Sequence, residues 1–292
     1  MLITTSPCRA DFQPESRILT KTESVEDLFA RYGEPYRIFV MTAGIAASFT
    51  MVLSGTIVNV ATPGVMGAFG VGLDQAQLMT SAFNIAMVTS QLLSAWVVSA
   101  IGQRGGFLAM VLVFVIGSLI AGIGQDFNMV VVGRVLQGVA AGVIQPLVMV
   151  VAFQVFPSER RGYAMALYSM GVFLAVAVGP IIGGFVIEVF NWRYIFWAPL
   201  PIIGLAGVMA WVFVPSVRSK EKVPFDWTGY VLLVICVYCL ISGLTDGVRE
   251  GWTSSYILGL FVVGIGSGIA LILTQLRDRP TLIDVSLFEH KQ

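Results

Sequence analysis

Charged residues are scarce in this 292-residue sequence and make up only 12% of it. Soluble domains carry about 25% charged residues, so the shortage argues against a soluble globular protein. The net charge at pH 7 is zero, which gives no electrostatic reason to expect binding to nucleic acid. Hydrophobic residues account for 57% of the sequence, and the mean hydropathy is +0.85. This balance indicates a protein that crosses a membrane several times.

Cysteine and histidine are also rare, with three cysteines and one histidine. Three cysteines suggest no disulfide framework. Cys236 and Cys239 form a C-x-x-C within an apolar run, where we interpret them as small apolar helix residues. The sequence contains no nucleophile–base pair, metal-binding cluster or phosphate-binding loop. We therefore predict neither an enzyme nor a metal site nor a cofactor.

Eight apolar segments follow a polar stretch, 1–37, that lacks the apolar core of a secretory signal. Each approaches the roughly 20 residues that span a bilayer as a helix. The segments are 38–61, 77–100, 107–124, 129–152, 164–187, 194–214, 228–244 and 256–275. The predicted fold is therefore an all-α membrane protein, a bundle of about eight transmembrane helices. Before the bundle, Ser24 and Asp27 have the spacing of a capping box, which predicts a short helix through Tyr32.

The placement of charge supports this arrangement and gives it an orientation. All 17 Asp and Glu lie outside the eight segments, and so do all Lys and Arg except Arg134. If the N-terminus is cytoplasmic, the outer loops contain only Arg193 and Arg249, as the positive-inside rule requires. We therefore predict a multi-pass membrane protein with both termini in the cytoplasm.

Arg134 is the one charged residue within a predicted span. At about 100° per residue it shares a helix face with Gln137, Gly138, Ala141 and Gln145. A charge at mid-bilayer costs about 3 kcal/mol on insertion scales. Two interpretations stay open: the side chain snorkels to the outer interface, or neighbouring helices give the whole stripe a wet or paired interior.

Other spans carry polar or small residues on one face. The polar residues of the first two spans are Ser48, Ser54, Thr56 and Asn59, then Thr80, Asn84, Gln91 and Ser94. Polar side chains in several spans predict a cavity in the bundle, with interhelical hydrogen bonding as the alternative. In the fifth span, small residues recur every four positions, at Gly171, Ala175, Gly179 and Gly183. Such a row favours the close approach of another helix, and Pro180 is expected to bend the span.

An ordered series of motifs carries a family resemblance. The motifs are T-I-V-N-V-A-T-P at 56–63, R-V-L-Q-G at 134–138, G-P-I-I-G-G at 179–184, N-W-R-Y-I-F at 191–196, F-D-W-T-G at 225–229 and P-T-L-I-D at 280–284. From about residue 38 onward, the sequence resembles the fourteen-span drug:proton antiporters (EmrB/QacA-like) of the major facilitator superfamily. The resemblance implies a location in the bacterial plasma (inner) membrane.

The resemblance also implies an organisation and a set of site residues. The organisation is a cytoplasmic N-terminal tail (1–37), a six-span transporter half (38–214) of two inverted repeats, a cytoplasmic loop (215–227), two additional spans (228–276) and a cytoplasmic C-terminal tail (277–292). The implied coupling and transport residues are Arg134, Gln137, Gly138, Gln145, Asn59, Ser54, Thr56, Asn84 and Gln91. The implied packing residues of the antiporter motif are Gly171, Gly179, Pro180, Gly183 and Gly184. The implied gating-loop residues are Gly102 and Arg104.

Three departures from the family pattern matter. The family usually has an aspartate two residues before Thr56, where this sequence has Ser54, and another between the second and third spans, where it has Ser99. Proton coupling needs a group that binds and releases a proton within the pathway. Because none of the eight segments contains Asp, Glu or His, the sequence argues against proton coupling. The third departure is length, since the family has six further spans.

Three hypotheses of function follow. The first is a transporter of the major facilitator type for the efflux of drugs or other small molecules, present as an incomplete chain that works with a C-terminal half. The second is a half-transporter that acts as a homodimer. The third is a truncated or regulatory membrane protein that transports nothing, which Ser54 and Ser99 favour. The implied partners are the lipid bilayer and a small substrate such as a hydrophobic drug, whose identity and direction of transport the sequence does not define.

Overall fold

The computed structural model describes residues 24–217 and 225–275, and every regular element in these ranges is helical. The α-helices are α1 (Val25–Tyr32), α2 (Tyr36–Phe69), α3 (Leu73–Ser90), α4 (Leu93–Ile123), α5 (Phe127–Val155), α6 (Arg161–Val189), α7 (Tyr194–Trp197), α8 (Leu200–Phe213), α9 (Trp227–Glu250) and α10 (Ser255–Gln275). The predicted all-α fold is confirmed. The C-terminal tail, most of the N-terminal tail and part of the cytoplasmic loop lie outside the described residues.

Capping side chains fix the starts of several helices. Ser24 Oγ accepts a hydrogen bond from the Asp27 amide at 3.2 Å, and Asp27 Oδ2 accepts one from the Ser24 amide at 3.1 Å. The predicted capping box and the helix through Tyr32 are therefore confirmed. Asp126 caps α5 by accepting a hydrogen bond from the Met129 amide at 2.9 Å. These contacts satisfy N–H groups that have no partner within the helix.

The second and third predicted spans meet at Gly102. Within the described ranges, seven helices are long and apolar enough to cross a membrane, against eight predicted spans. α4 contains the end of the predicted segment 77–100 and almost all of the predicted segment 107–124, and it changes direction between them at Gly102, whose φ of 79° and ψ of 172° are not helical. Gln91 and Leu92, between α3 and α4, keep right-handed helical backbone angles, so α3 continues into the first turns of α4. The two counts differ because α4 joins the end of the second predicted span to the third.

The helices pack around α5, which lies along both α3 and α4. α2 packs along α6 and α8 and also contacts α5. α9 and α10 pack against each other, and α9 contacts α3, where Arg249 Nη1 lies 2.5 Å from Asp74 Oδ2. Because lipid is as apolar as these side chains, close packing and interhelical hydrogen bonds hold such a bundle together.

Two apolar clusters fill the interior, and a polar layer lies between them. The cluster on the α1 side includes Met51, Phe83, Phe114 and Ala140. The cluster at the other end includes Ile57, Met79, Ala121 and Val130. The intervening positions of α2, α4 and α5 hold four fully buried polar residues, Ser54, Ser118, Arg134 and Gln137. We call these four residues the polar layer, which lies at an intermediate depth in the bundle.

Candidate transport site

Arg134 is the centre of the polar layer, and its side chain has no exposed surface. Its Nη1 donates to Gln137 Oε1 at 2.8 Å, to the Ser54 carbonyl oxygen at 3.1 Å and to Ser54 Oγ at 3.2 Å. Its Nε donates to the Met79 carbonyl oxygen at 3.3 Å. The guanidinium therefore joins α5 to both α2 and α3, and it lies inside the protein instead of extending to the outer interface.

Gln137 extends this network to a fourth helix. Its Nε2 donates to Ser118 Oγ in α4 at 2.7 Å, and its Oε1 accepts from Ser54 Oγ at 3.4 Å as well as from Arg134. Arg134 and Gln137 can share partners because residues three apart lie on the same face of a helix. The polar layer is thus one continuous hydrogen-bond network across α2, α4 and α5, with α3 joined through its backbone.

In the described part of the chain, the positive charge of Arg134 has only neutral hydrogen-bond partners and no counter-charge. Its four hydrogen bonds go to carbonyl, hydroxyl and amide oxygens, and within residues 24–217 and 225–275 it forms no ion pair and its Nη2 has no hydrogen-bond partner. The guanidinium carbon lies 4.2 Å from the centre of the Phe83 ring, whose electron-rich face attracts cations. The site therefore contains a buried cation with one donor group still free to bind an acceptor.

Glycines in α5 allow the neighbouring helices to come this close. A Cβ atom at Gly138 would overlap the Phe83 carbonyl oxygen, and one at Gly142 would overlap the Met87 carbonyl oxygen. The backbones of α3 and α5 are therefore nearly in contact, which brings the Met79 carbonyl oxygen within reach of Arg134. Of the predicted stripe, Gly138 has a packing role and Gln145 is only half-buried.

The small-residue row of the antiporter motif lies against α2. A Cβ at Gly171 would meet Ile45, one at Gly179 would overlap Thr56, and one at Gly183 would meet Ile57. Gly184 has no neighbour within 4 Å of such an atom, Pro180 is exposed, and α6 continues through Pro180 to Val189. Of the five motif residues, the structure thus places three at the α2–α6 contact and two on other faces of α6.

The remaining predicted pathway residues lie outside the polar layer. Asn59 is exposed, and its Oδ1 accepts a hydrogen bond from Thr80 Oγ1 at 3.3 Å. Thr56 Oγ1 donates to carbonyl oxygens of its own helix. Asn84 and Gln91 are half-buried in and just after α3. The structure therefore brings Ser54 and Gln137 to Arg134 but does not bring these four residues to it.

The predicted gating loop forms a junction with the end of α8. Gly102 holds the positive φ at which α4 changes direction, a conformation that favours glycine. The next two residues contact the chain beyond α8. The Gln103 amide donates to the Val217 carbonyl oxygen at 3.1 Å, and Arg104 Nε donates to the Val214 carbonyl oxygen at 2.7 Å.

Sequence reasoning missed three participants in the network: Ser118, Phe83 and the Met79 carbonyl. Ser118 could have been predicted from the sequence, because it is the only hydroxyl or amide side chain in the apolar segment 107–124. Phe83 and Met79 had none, since an aromatic ring and a backbone carbonyl in an apolar helix look like ordinary core. Their roles depend on the distance between α3 and α5.

Comparison with known proteins places this geometry in context. A family model described as Major Facilitator Superfamily matches residues 44–283. The chain is 35% identical over 249 residues to the multidrug export protein EmrB of Haemophilus influenzae and 33% identical over 264 residues to EmrB of Escherichia coli. It is 30% identical over 256 residues to the fatty acid resistance protein FarB of Neisseria gonorrhoeae. These alignments cover 84%, 88% and 86% of this chain but 48%, 51% and 50% of the relatives, so the chain spans about half their length.

Solved structures of transporters have the same helical arrangement. A peptide transporter POT in complex with sulfate aligns with a TM-score of 0.60 at 13% identity, over 87% of this chain and 56% of that one. The POT family transporter PepTSo aligns with a TM-score of 0.54 at 16% identity, over 85% of this chain and 55% of that one. At such identities the likeness shows the fold alone.

Proposed function

This chain belongs to the Major Facilitator Superfamily, as its motifs led us to expect, and we propose that it forms the N-terminal helical unit of an exporter of small apolar molecules. The names of its relatives, which describe multidrug export and fatty acid resistance, support export as the activity. The similarity to bacterial exporters supports a location in the plasma (inner) membrane, and the distribution of Lys and Arg supports an orientation with both termini in the cytoplasm.

The polar layer is the observation on which this proposal rests. Transporters bind substrates and coupling ions near the middle of the membrane, on polar groups within the bundle. Here Arg134 lies between two apolar clusters, and its Nη2 has no hydrogen-bond partner in the described part of the chain. We propose that Arg134 contacts the transport pathway when the helices around it separate, and that Ser54 and Gln137 hold its side chain in place between transport steps.

We further propose that a second helical unit completes the pathway, either a C-terminal half or a second copy of this chain. The curated relatives are about twice as long as the part that this chain matches. Asn59 supports the same idea, because it is a polar side chain exposed on the surface of a membrane helix. Its Oδ1 accepts a hydrogen bond from Thr80, and the rest of its exposed amide is the part that a second unit could contact in place of lipid.

The test is efflux of an apolar dye from cells that lack their own exporters and that express this chain alone or with the C-terminal half of a relative. We expect dye export only when a second unit is present, and we expect Arg134→Gln to abolish it at an unchanged level of protein in the membrane. Arg161→Gln, which removes an exposed cation outside the polar layer, should export normally. Wild-type export by Arg134→Gln would remove Arg134 from the mechanism.

A separate cross-linking experiment distinguishes a second copy of this chain from a C-terminal half as the partner. Cross-linking of the chain in native membranes should give a homodimer if two copies form the pathway, and no homodimer if a separate C-terminal half does. Absence of export with either partner would favour the remaining candidate, a membrane protein that transports nothing. The feature that favours it is the absence of Asp, Glu and His from the eight predicted spans, because a proton-coupled pathway needs a group that binds and releases a proton.

A further inference from the structure

A crevice of about 440 Å³ opens at the α1 end of the bundle, apart from the polar layer. It lies between the start of α2 and the start of α6, and we call it the α2–α6 crevice. Its polar lining includes Glu34, Arg37, Arg160 and Tyr163, and its apolar lining includes Ile38 and Leu167. Its volume falls within the range of about 300–1,000 Å³ that is typical of ligand pockets.

The two arginines of the crevice differ in what they bind. Arg37 already has two partners: its Nη1 pairs with Glu34 Oε2 at 2.7 Å, and its Nε donates to the Val155 carbonyl oxygen at 3.2 Å. Arg160 is exposed, and its side chain forms no hydrogen bond or ion pair with the described part of the chain. Among the described residues that line the crevice, Glu34 is the only acid, so this lining has a net positive charge, and the Arg160 guanidinium has no partner within it.

The apolar part of the lining includes exposed side chains. Ile38 is 66% exposed and Tyr163 is 68% exposed, beside Met41 and Leu167. A small water-soluble anion would gain nothing from these aliphatic and aromatic surfaces. A ligand that carries both an anionic group and a hydrocarbon chain matches both halves of the lining.

The position of the crevice identifies the source of such a ligand. Its lining comes from the first turns of α2, from Phe156 just after α5 and from the first turns of α6, so it lies at the ends of membrane helices. Lipid headgroups occupy that depth of a bilayer. Basic pockets between transmembrane helices are known to bind anionic lipid headgroups.

We propose that the α2–α6 crevice binds an anionic phospholipid, with its phosphate on Arg160 and its acyl chain along Ile38 and Leu167. Arg37 and Glu34 form the fixed wall of the site, and Tyr163 presents its ring at the level of the headgroup. The bound lipid would join the start of α2 to the start of α6, which are the two helices that contact each other through the antiporter-motif row.

The experiment uses the 292-residue chain purified in detergent, with phosphatidylglycerol as the probe and phosphatidylcholine as the neutral comparison. Bound lipid is counted by native mass spectrometry across a titration of each lipid. We expect phosphatidylglycerol to bind more tightly than phosphatidylcholine, and Arg160→Gln to weaken phosphatidylglycerol binding about tenfold, the value of one charge-assisted hydrogen bond. Since the Arg160 side chain is exposed, this variant should fold normally.

Arg161→Gln is the matched control. Arg161 is the adjacent residue with the same charge, its Nη2 donates to the Phe153 carbonyl oxygen at 3.1 Å, and it does not line the crevice. It should bind phosphatidylglycerol like the wild type. Equal weakening by the two substitutions would overturn the proposal in favour of general surface charge, and equal affinity for the two lipids would also overturn it. Displacement of the lipid by millimolar inorganic phosphate would show that the acyl chain contributes nothing, which contradicts the proposed amphiphile site.

Discussion

At the scale of single residues, the chemistry of the bundle depends on Arg134, a buried cation that forms no ion pair in the described part of the chain. Arg134 stands out as a charge in an apolar run, and Gln137 follows from helical spacing. The contacts that decide its environment come from two other helices: the Ser54 side chain belongs to α2, and the Met79 carbonyl oxygen and the Phe83 ring belong to α3. Periodicity describes one helix at a time, so it left snorkelling and burial equally open.

Ser54 gives a direct test of the unbalanced charge. Ser54 Oγ lies 3.2 Å from Arg134 Nη1, and Nη2 has no partner, so Ser54→Asp would place a carboxylate beside a guanidinium that has a donor to spare. We expect this variant to keep the thermal unfolding midpoint of the wild type in detergent or to raise it. The reason is that the new charge is paired as soon as it is buried.

Ser48→Asp is the matched control for that prediction. Ser48 lies on the same helix and is also fully buried, but it has no bond to a cation in the described part of the chain. An unpaired buried carboxylate should destabilise the fold by about 3 kcal/mol or more. If both variants lower the midpoint equally, Arg134 is not available to a carboxylate at position 54.

At the scale of helices, spacing predicted packing better than it predicted ends. The glycine row of the fifth span was found from its interval of four, and three of its members lie against α2. The exact end of the second span was not found, because α4 continues from that span past Gly102, where its direction changes, into the third span. Close packing depends on side-chain size, which the sequence states, whereas a change of helix direction depends on backbone angles, which it indicates only at prolines and some glycines.

Gly138→Ala tests the close approach of α3 and α5. Alanine normally stabilises a helix interior relative to glycine, by about 1 kcal/mol. At Gly138 the added methyl group would overlap the Phe83 carbonyl oxygen and approach Ala86 Cβ to 2.9 Å. We therefore expect a loss of about 1–3 kcal/mol, the usual cost of overpacking, measured as a lower unfolding midpoint.

Gly184→Ala is the corresponding control within a membrane helix. A Cβ at Gly184 has no neighbour within 4 Å, so this variant should be as stable as the wild type or slightly more stable. The prediction fails if Gly138→Ala and Gly184→Ala have the same unfolding midpoint, because α3 and α5 would then not approach each other closely at Gly138.

At the scale of the whole molecule, composition and charge carry most of the information. The scarcity of charge and the apolar segments predicted an all-α membrane bundle, and the motifs predicted its family; both predictions are confirmed. The orientation stays a prediction, because it depends on the positive-inside rule. That rule reflects insertion into a charged membrane, and helix packing alone has no inside or outside.

Labelling of single cysteines tests the orientation. In a variant without Cys8, Cys236 and Cys239, a cysteine replaces either Glu159, between α5 and α6, or Thr253, between α9 and α10; both positions are exposed. Three predicted spans separate them, so they should lie on opposite sides of the membrane. In intact cells, a membrane-impermeant maleimide should label Thr253→Cys and leave Glu159→Cys unlabelled, whereas both should react once the membrane is permeabilised. The reverse pattern would invert the orientation, and labelling of both in intact cells would contradict the odd number of crossings between them.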